Sequence, residues 1–186
     1  MKKKGNILIG ICGGIAAYKI CQLVRLLVKN GYLVKVMMTP AATEFIRPLV
    51  FKELTGQPVY QKMFSLGNQD AQHISLSEWA DLAIIAPLSA NTLSKVACGI
   101  CDNLLTSVVC ALTSSKPVLL APAMNEGMWK NPLIQENLFR LKKIKNYTVL
   151  SPERGELACK TIGIGRMAEP GKIYKKAEAI LKKPKS

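Results

Sequence analysis

His73 is the chain's single histidine. With an ordinary pKa of about 6.5, it is the obvious candidate for a base working near neutral pH. It stands in Gln72-His73-Ile74-Ser75-Leu76-Ser77-Glu78-Trp79-Ala80-Asp81. A lone histidine more often serves packing or lies exposed, so the residue alone names no reaction. Cys159 is the second candidate. It lies in Gly155-Glu156-Leu157-Ala158-Cys159-Lys160, ahead of Gly163-Ile164-Gly165-Arg166-Met167. Neighbouring cations favour the thiolate form of a cysteine. Asn125, in Ala121-Pro122-Ala123-Met124-Asn125, follows an apolar run and would orient a carboxylate or an amide there; a plain turn asparagine is an equal alternative.

Other segments point to an anion. Gly10-Ile11-Cys12-Gly13-Gly14-Ile15-Ala16 is a strand-to-helix turn whose glycines let backbone N–H groups approach a phosphate at a helix start. The segment is neither Gly-x-Gly-x-x-Gly nor a P-loop. The next apolar run ends in Met38-Thr39-Pro40, without the acid that would hold a dinucleotide ribose. NAD and ATP are disfavoured and a mononucleotide fits better. Thr39 offers a hydroxyl or a helix cap. Ser89-Ala90-Asn91-Thr92 places three small polar side chains after a further apolar run. Cys98-Gly99-Ile100-Cys101 stands without a second such pair, so structural zinc is disfavoured. Cys12, Cys21 and Cys110 fall in apolar stretches and read as small hydrophobes.

The elements that must position these groups alternate. Asn6 to Cys12 is a continuous apolar run, as in a strand buried on both faces. Ala16 to Asn30 has helical spacing, and Leu33 to Met38 is a second strand, giving a right-handed βαβ unit. Thr43 to Leu54 reads as a helix interrupted at Pro48, and Gly56 to Ala71 as polar and turn-rich. Strands are predicted at Ala80 to Ala86, Pro117 to Ala121 and Tyr147 to Leu150. Helices are predicted at Asn91 to Ala97, Asn103 to Leu112, Pro132 to Ile144 and Ile173 to Lys183. Ser151 to Pro170 shows no period and is predicted to be a loop or flap. The whole describes a single α/β domain over residues 1–186, with a doubly wound parallel sheet in three α/β/α layers, Rossmann-like or flavodoxin-like. Ligands of such sheets bind at the carboxyl ends of the strands.

The length of 186 residues suits one domain with its own core, and six scattered cysteines read as reduced cytosolic thiols. Lys2 to Lys4 before a short apolar run is not a signal peptide, because the run is too short. No stretch spans a bilayer. A cytoplasmic protein without membrane contact is expected. The net charge of +14 suits anionic ligands or a merely basic surface. No motif accompanies it that would make nucleic acid the partner.

Taken together and in order, these motifs resemble the homo-oligomeric flavin-containing cysteine decarboxylases. The resemblance rests on Gly13-Gly14-Ile15-Ala16-Ala17-Tyr18-Lys19, on His73-Ile74-x-Leu76-x-x-Trp79-Ala80-Asp81, and on Ser89-Ala90-Asn91-Thr92. It also rests on Pro122-Ala123-Met124-Asn125 and on Ala158-Cys159 with Gly163-Ile164-Gly165-Arg166-Met167-Ala168-Glu169-Pro170. It covers roughly residues 6–170. It implies bound FMN, with the phosphate near Gly13, Gly14, Ile15 and Ser89, and Thr39, Asn91, Thr92 and Met124 around the rest. The branch it most resembles acts on 4′-phosphopantothenoylcysteine in coenzyme A biosynthesis, giving 4′-phosphopantetheine and CO₂. In that chemistry the thiol is oxidised first, CO₂ then leaves to give an enethiolate, and the hydride returns.

By the same resemblance, His73 is the base or orienting group, Asn125 holds the carboxylate, and Cys159 protonates the enethiolate from a flap at about 153–170. Ala158, Lys160, Arg166 and Met167 belong to that flap. No metal is implied. The family forms trimers, some assembled into dodecamers, with the site between protomers. Many bacterial relatives continue into a synthetase, so a separate synthetase is expected as pathway neighbour. Gly14 stands where serine is common, Leu88 where alanine is common, and Lys160 where glycine is usual. Peptidyl-cysteine decarboxylation is the nearest alternative, followed by a flavin prenyltransferase and a non-catalytic flavin-binding subunit. The presence of His73, Asn125 and Cys159 together favours an active enzyme.

Overall fold

A computed structural model describes residues 4–64, 71–158 and 160–182. Six strands form one parallel sheet: β1 (Asn6–Ile11), β2 (Leu33–Met38), β3 (Val59–Tyr60), β4 (Leu82–Leu88), β5 (Val118–Pro122) and β6 (Tyr147–Val149). Their order is β3-β2-β1-β4-β5-β6. The chain winds outward from β1 to β3, then returns to place β4 on the other side of β1. The winding direction therefore reverses between β1 and β4, and a crevice opens above their carboxyl ends.

The helices are α1 (Ile20–Lys29), α2 (Pro40–Thr43), α3 (Pro48–Thr55), α4 (Gln72–Trp79), α5 (Ala90–Ala97), α6 (Leu104–Ala111), α7 (Glu126–Lys130), α8 (Pro132–Lys142) and α9 (Pro170–Leu181). Alternation along the strands divides the core into two layers. Ile7, Ile9 and Ile11 of β1 and Leu82 and Ile84 of β4 face α1, α3 and α9 through Leu23, Val24, Phe51 and Ile173. Leu8, Ala83 and Ile85 face the other way, onto Leu76 of α4, Leu93 of α5, Val108 of α6 and Leu138 of α8. Each fully buried Leu, Ile or Phe contributes about 1.5–3 kcal/mol. Gly10 has no room for more: a Cβ there would stand 2.8 Å from both Ile85 Cδ1 and Leu105 Cδ1. The missing side chain lets α6 close on the switch point.

The five strands expected from sequence are present, each end within two residues; β3, α4 and α7 were not expected, and three expected elements differ. The first helix begins as a 3-10 turn over Ile15–Lys19 and becomes α-helical only at Ile20. The helix expected at Thr43 to Leu54 begins only at Pro48: α2 ends at Thr43, and residues 44–47 are not helical. Pro48 starts α3, because proline's missing N–H costs nothing in a first turn. The segment expected to be an irregular flap is an antiparallel hairpin of β7 (Glu153–Glu156) and β8 (Ile162–Arg166). Its turn is closed by Leu157 N–H to Thr161 O at 2.8 Å and Lys160 N–H to Leu157 O at 2.9 Å. Lys160 sits there at φ 62, a left-handed conformation costing a non-glycine residue about 1–2 kcal/mol. That is a physical reason for the glycine common at this position in the family it resembles.

Candidate functional site

A cleft of about 650 Å³ opens above the carboxyl ends of β1, β4 and β5. Its first wall is the loop after β1. Gly13 there packs on the start of α2: a Cβ would lie 2.6 Å from Ala41 Cβ and 2.9 Å from the Ala41 carbonyl carbon. Beside Gly14, by contrast, a Cβ would meet nothing within 4 Å. Ala17 N–H closes the turn onto Gly14 O at 2.9 Å. The Ile15 and Ala16 amides precede that first internal bond and lie at the helix start, an arrangement suited to an anion.

Ser89 forms the floor at the end of β4. Its hydroxyl caps α5 by accepting from Thr92 N–H at 3.3 Å, and it contacts the Thr92 hydroxyl at 3.3 Å. Thr92 is buried and reaches the Cys12 thiol beneath. Burial is the main influence on that thiol and pushes its pKa up, so Cys12 is a neutral packing group. The other wall is the loop after β5. Met124 and Asn125 line the cleft, and Asn125 Oδ1 caps α7 by accepting from Gly127 N–H at 2.8 Å.

The β7–β8 hairpin covers this wall. Met124 N–H donates to Gly165 O at 3.0 Å, and Ile164 N–H donates to Glu126 Oε1 at 3.2 Å. The Ile164 amide, followed by Lys130, holds the Glu126 carboxyl below its ordinary pKa. Gly163 and Gly165 make the contact possible. A Cβ on Gly163 would lie 2.8 Å from Glu126 Oε2, and one on Gly165 would overlap Met124 O. From the hairpin, Leu157, Ala158, Arg166 and Met167 join the lining.

Of the residues expected from sequence, Gly13, Gly14, Ile15, Ser89, Met124, Asn125, Ala158, Arg166 and Met167 meet at this cleft. Thr39 lies outside its lining and caps α2, accepting from Ala42 N–H at 3.3 Å. Asn91 is exposed on α5, Thr92 lies beneath Ser89, and Lys160 is exposed at the hairpin turn. Cys159 lies outside the described residues. His73 is half-buried near the start of α4 and does not line the cleft. The far end of α4 is tied to the amino end of β1, with Asn6 Nδ2 donating to Trp79 O at 2.8 Å. Six residues back, at about 1.5 Å each, His73 is raised about 9 Å toward the carboxyl edge. Among the described residues, no group of three or more His, Cys, Asp or Glu could hold a metal ion.

Lys19, Glu126 and Glu169 were not singled out as site residues from sequence. Lys19 Nζ lies 2.7 Å from Glu169 Oε1, and Arg166 Nη2 lies 2.9 Å from the same oxygen. The available signal was the two-residue spacing of Gly163 and Gly165, which puts both on one face of a strand.

A family model described as Flavoprotein matches residues 1–182. The chain is 42% identical over 175 residues to the coenzyme A biosynthesis bifunctional protein CoaBC of Borreliella burgdorferi, covering 94% of this chain and 44% of that protein. It thus spans less than half the length of that relative. It is 44% identical over 182 residues to the probable phosphopantothenoylcysteine decarboxylase of Streptococcus mutans, covering 97% of this chain and 100% of that protein. Among solved structures, it is similar to a PPC decarboxylase mutant complexed with pantothenoylaminoethenethiol, with a TM-score of 0.86 at 33% identity, covering 98% of this chain and 100% of the other. It is also similar to the FMN binding protein AtHal3, with a TM-score of 0.81 at 34% identity, covering 96% and 97%.

Proposed function

Since the chain belongs to the flavoprotein family, we propose that it catalyses FMN-dependent decarboxylation of 4′-phosphopantothenoylcysteine to 4′-phosphopantetheine in coenzyme A biosynthesis. The observation that carries this reading is the meeting, at one cleft, of the Gly13–Ile15 turn, Asn125 and the hairpin residues around Ala158. A relative matched over its full length bears the name of that activity.

The residues present fit FMN. The turn after β1 leaves the Ile15 and Ala16 amides ahead of its first internal bond, suited to an anion, and Ser89 adds a hydroxyl to the same cleft. Gly13, Gly14, Ile15 and Ser89 would hold the phosphate and Met124 would flank the remainder; Thr39, Asn91 and Thr92, also expected around it, stand outside the lining of this chain's cleft. When bound, FMN supplies a two-electron acceptor that is afterwards the donor, so no nicotinamide is consumed.

The chain's own groups manage charge and protons. His73 takes the substrate thiol proton or orients that thiol. Asn125 holds the carboxylate until CO₂ leaves. Cys159 gives a proton to the enethiolate, and Ala158, Lys160, Arg166 and Met167 close the hairpin over it. Because His73 stands outside the cleft of one chain, the reading includes a homotrimer, or a dodecamer of such trimers, in which the site lies between protomers. A synthetase that makes the cysteine adduct is the pathway neighbour. The reading places the enzyme in the cytoplasm, consistent with no described helix being long and apolar enough to cross a membrane.

Purified protein is expected to be yellow and to release CO₂ from phosphopantothenoylcysteine without added NAD. Mass analysis of products, with a cysteine-terminated peptide assayed alongside, checks this. A colourless protein that rebinds no flavin overturns it, and exclusive turnover of the peptide replaces it with peptidyl-cysteine decarboxylation. The glycine turn makes its own prediction. Gly13→Ala must push Ala41 aside and is expected to lose most of its flavin, whereas Gly14→Ser meets open space and keeps it. Flavin absorbance of the two purified variants decides between these outcomes.

A further inference from the structure

Helix α4 carries His73 in its first turn and is held from its last. It has no side-chain cap at its amino end and no basic residue in its own last turn. Residues distant in sequence gather its final carbonyls instead. Lys116 Nζ donates to Glu78 O at 3.1 Å and to Ala80 O at 2.7 Å. Between them, Asn6 Nδ2 donates to Trp79 O at 2.8 Å. Three successive carbonyls are thus bonded where intrahelical donors run out. The Lys116 ammonium also opposes the negative end of the helix. From β2, Lys35 Nζ stands over the Trp79 ring, 4.4 Å from its centroid. Lys116 has a firm base of its own: its N–H bonds Thr113 O at 2.9 Å, and Asn146 Nδ2 donates to Lys116 O at 2.8 Å.

We propose that Lys116 is a positioning residue for His73, setting the tilt and height of α4 at which the imidazole meets the substrate thiol. The inference rests on the function proposed above and on the role given there to His73. Leverage makes the far end of the helix decisive. His73 lies about 9 Å from Trp79 along α4, at about 1.5 Å per residue. Over that arm a tilt of about 6° carries the imidazole about 1 Å, and a displacement of that size can cost about 100-fold in rate. Leu76, midway along α4, is its fully buried apolar side chain. Apolar burial is non-directional, so one such contact keeps the helix in place but resists tilting weakly. The hydrogen bonds at the last turn are directional and supply that resistance.

The origin of the tethers gives them a functional meaning. Asn6 begins β1, whose carboxyl end leads into the Gly13–Ile15 turn. Lys116 stands just before β5, whose carboxyl end leads to Asn125. His73 does not line its own chain's cleft, so its place is fixed by the frame that carries α4. Mounting α4 on the roots of those two strands registers His73 with the anion turn and with the carboxylate holder. A symmetric assembly then repeats that register at every site between protomers.

Lys116→Met keeps an aliphatic stem and removes the ammonium. In the FMN-loaded protein it is expected to lower kcat about 10- to 100-fold, with KM within about twofold and flavin content unchanged, and Lys116→Arg to recover most of the loss. Hydrogen exchange should accelerate in residues 71–80 while β1, β4 and β5 keep their protection. The double variant with His73→Asn isolates the route. Once the imidazole is gone, Lys116→Met should cost less than about twofold more. A full further loss on that background overturns the proposal, because the lysine then acts on the fold or on another group. Native kcat in Lys116→Met overturns it too, as does native protection of residues 71–80. Native turnover in His73→Asn removes the role given to His73 and the positioning with it. If the methionine variant is not recovered folded, Lys116→Gln, which keeps a donor without the charge, is read against the same outcomes. A wild type that releases no CO₂ from phosphopantothenoylcysteine removes the proposed reaction, and the exchange result then decides the tether by itself.

Discussion

Gly165→Ala is expected to free the β7–β8 hairpin from the body of the protein and to lower decarboxylation about 100-fold or more. Gly165 O accepts from Met124 N–H at 3.0 Å, and the position a Cβ would take overlaps Met124 O, with the Met124 carbonyl carbon 3.2 Å away. The obstacle is backbone, which cannot rotate aside as a side-chain tip would. Relief requires the hairpin to move outward, and that breaks the Met124 bond together with the neighbouring bond from Ile164 N–H to Glu126 Oε1. Overpacking of this kind costs about 1–3 kcal/mol, more than a small docked hairpin returns once its two anchoring bonds are lost. Arg166, Met167 and Ala158 would move with it, and a displacement of about 1 Å at a reacting group can cost about 100-fold in rate. The expected signature is local. Hydrogen exchange should accelerate across residues 153–166 while β1, β4 and β5 keep their protection. Gly171→Ala serves as the control, because its Cβ would meet nothing within 4 Å on an exposed face of α9. Native exchange and native turnover in Gly165→Ala would show that the hairpin does not need this contact.

That hairpin is also where sequence reading fell short, and the reason is physical. The central strands announce themselves because a strand buried on both faces must be apolar throughout, as Ile7 to Ile11 and Leu82 to Leu88 are. The turn itself was also legible: Gly13 and Gly14 break the first strand, and Ala17 N–H closes on Gly14 O at 2.9 Å to start the next helix. A hairpin that packs on a loop carries no such pattern. Gly163 and Gly165 supply its buried face by having no side chains, while Ile162 and Ile164 look outward, so its hydrophobicity is inverted. The pairing of Lys19 with Glu169 joins residues 150 positions apart and depends on where α9 begins. No local period encodes it. His73 shows the opposite limit. Its residue type was suggestive, but a single chain leaves it outside the cleft, and only a second protomer would complete the reading proposed for it.

Asn125→Asp separates the folding role of this side chain from its chemical role, and is expected to lower kcat/KM about 100- to 1000-fold with stability nearly unchanged. Asn125 Oδ1 caps α7 through Gly127 N–H at 2.8 Å. Aspartate caps a helix as well as asparagine does, and its negative charge is favoured at a helix start. The fold should therefore tolerate the change. The substrate carboxylate should not. The change removes the amide donor and sets a second negative charge beside the first. Two like charges about 4 Å apart cost about 1 kcal/mol in bulk water and about 4 kcal/mol at an effective dielectric constant of about 20. Closing the hairpin over the exposed Asn125 moves the site toward the second figure, and about 1.4 kcal/mol is tenfold in rate. Asn125→Ala makes the comparison decisive. It forfeits the cap, worth about 1 kcal/mol, and one charge-assisted hydrogen bond worth about 1.5–3 kcal/mol, but adds no repulsion. The two variants should therefore rank in opposite orders, the alanine less stable and the aspartate less active. Thermal unfolding and steady-state kinetics on the same preparations read both orders. An aspartate variant that turns over as well as the alanine variant would mean that Asn125 caps α7 and does not meet the substrate carboxylate.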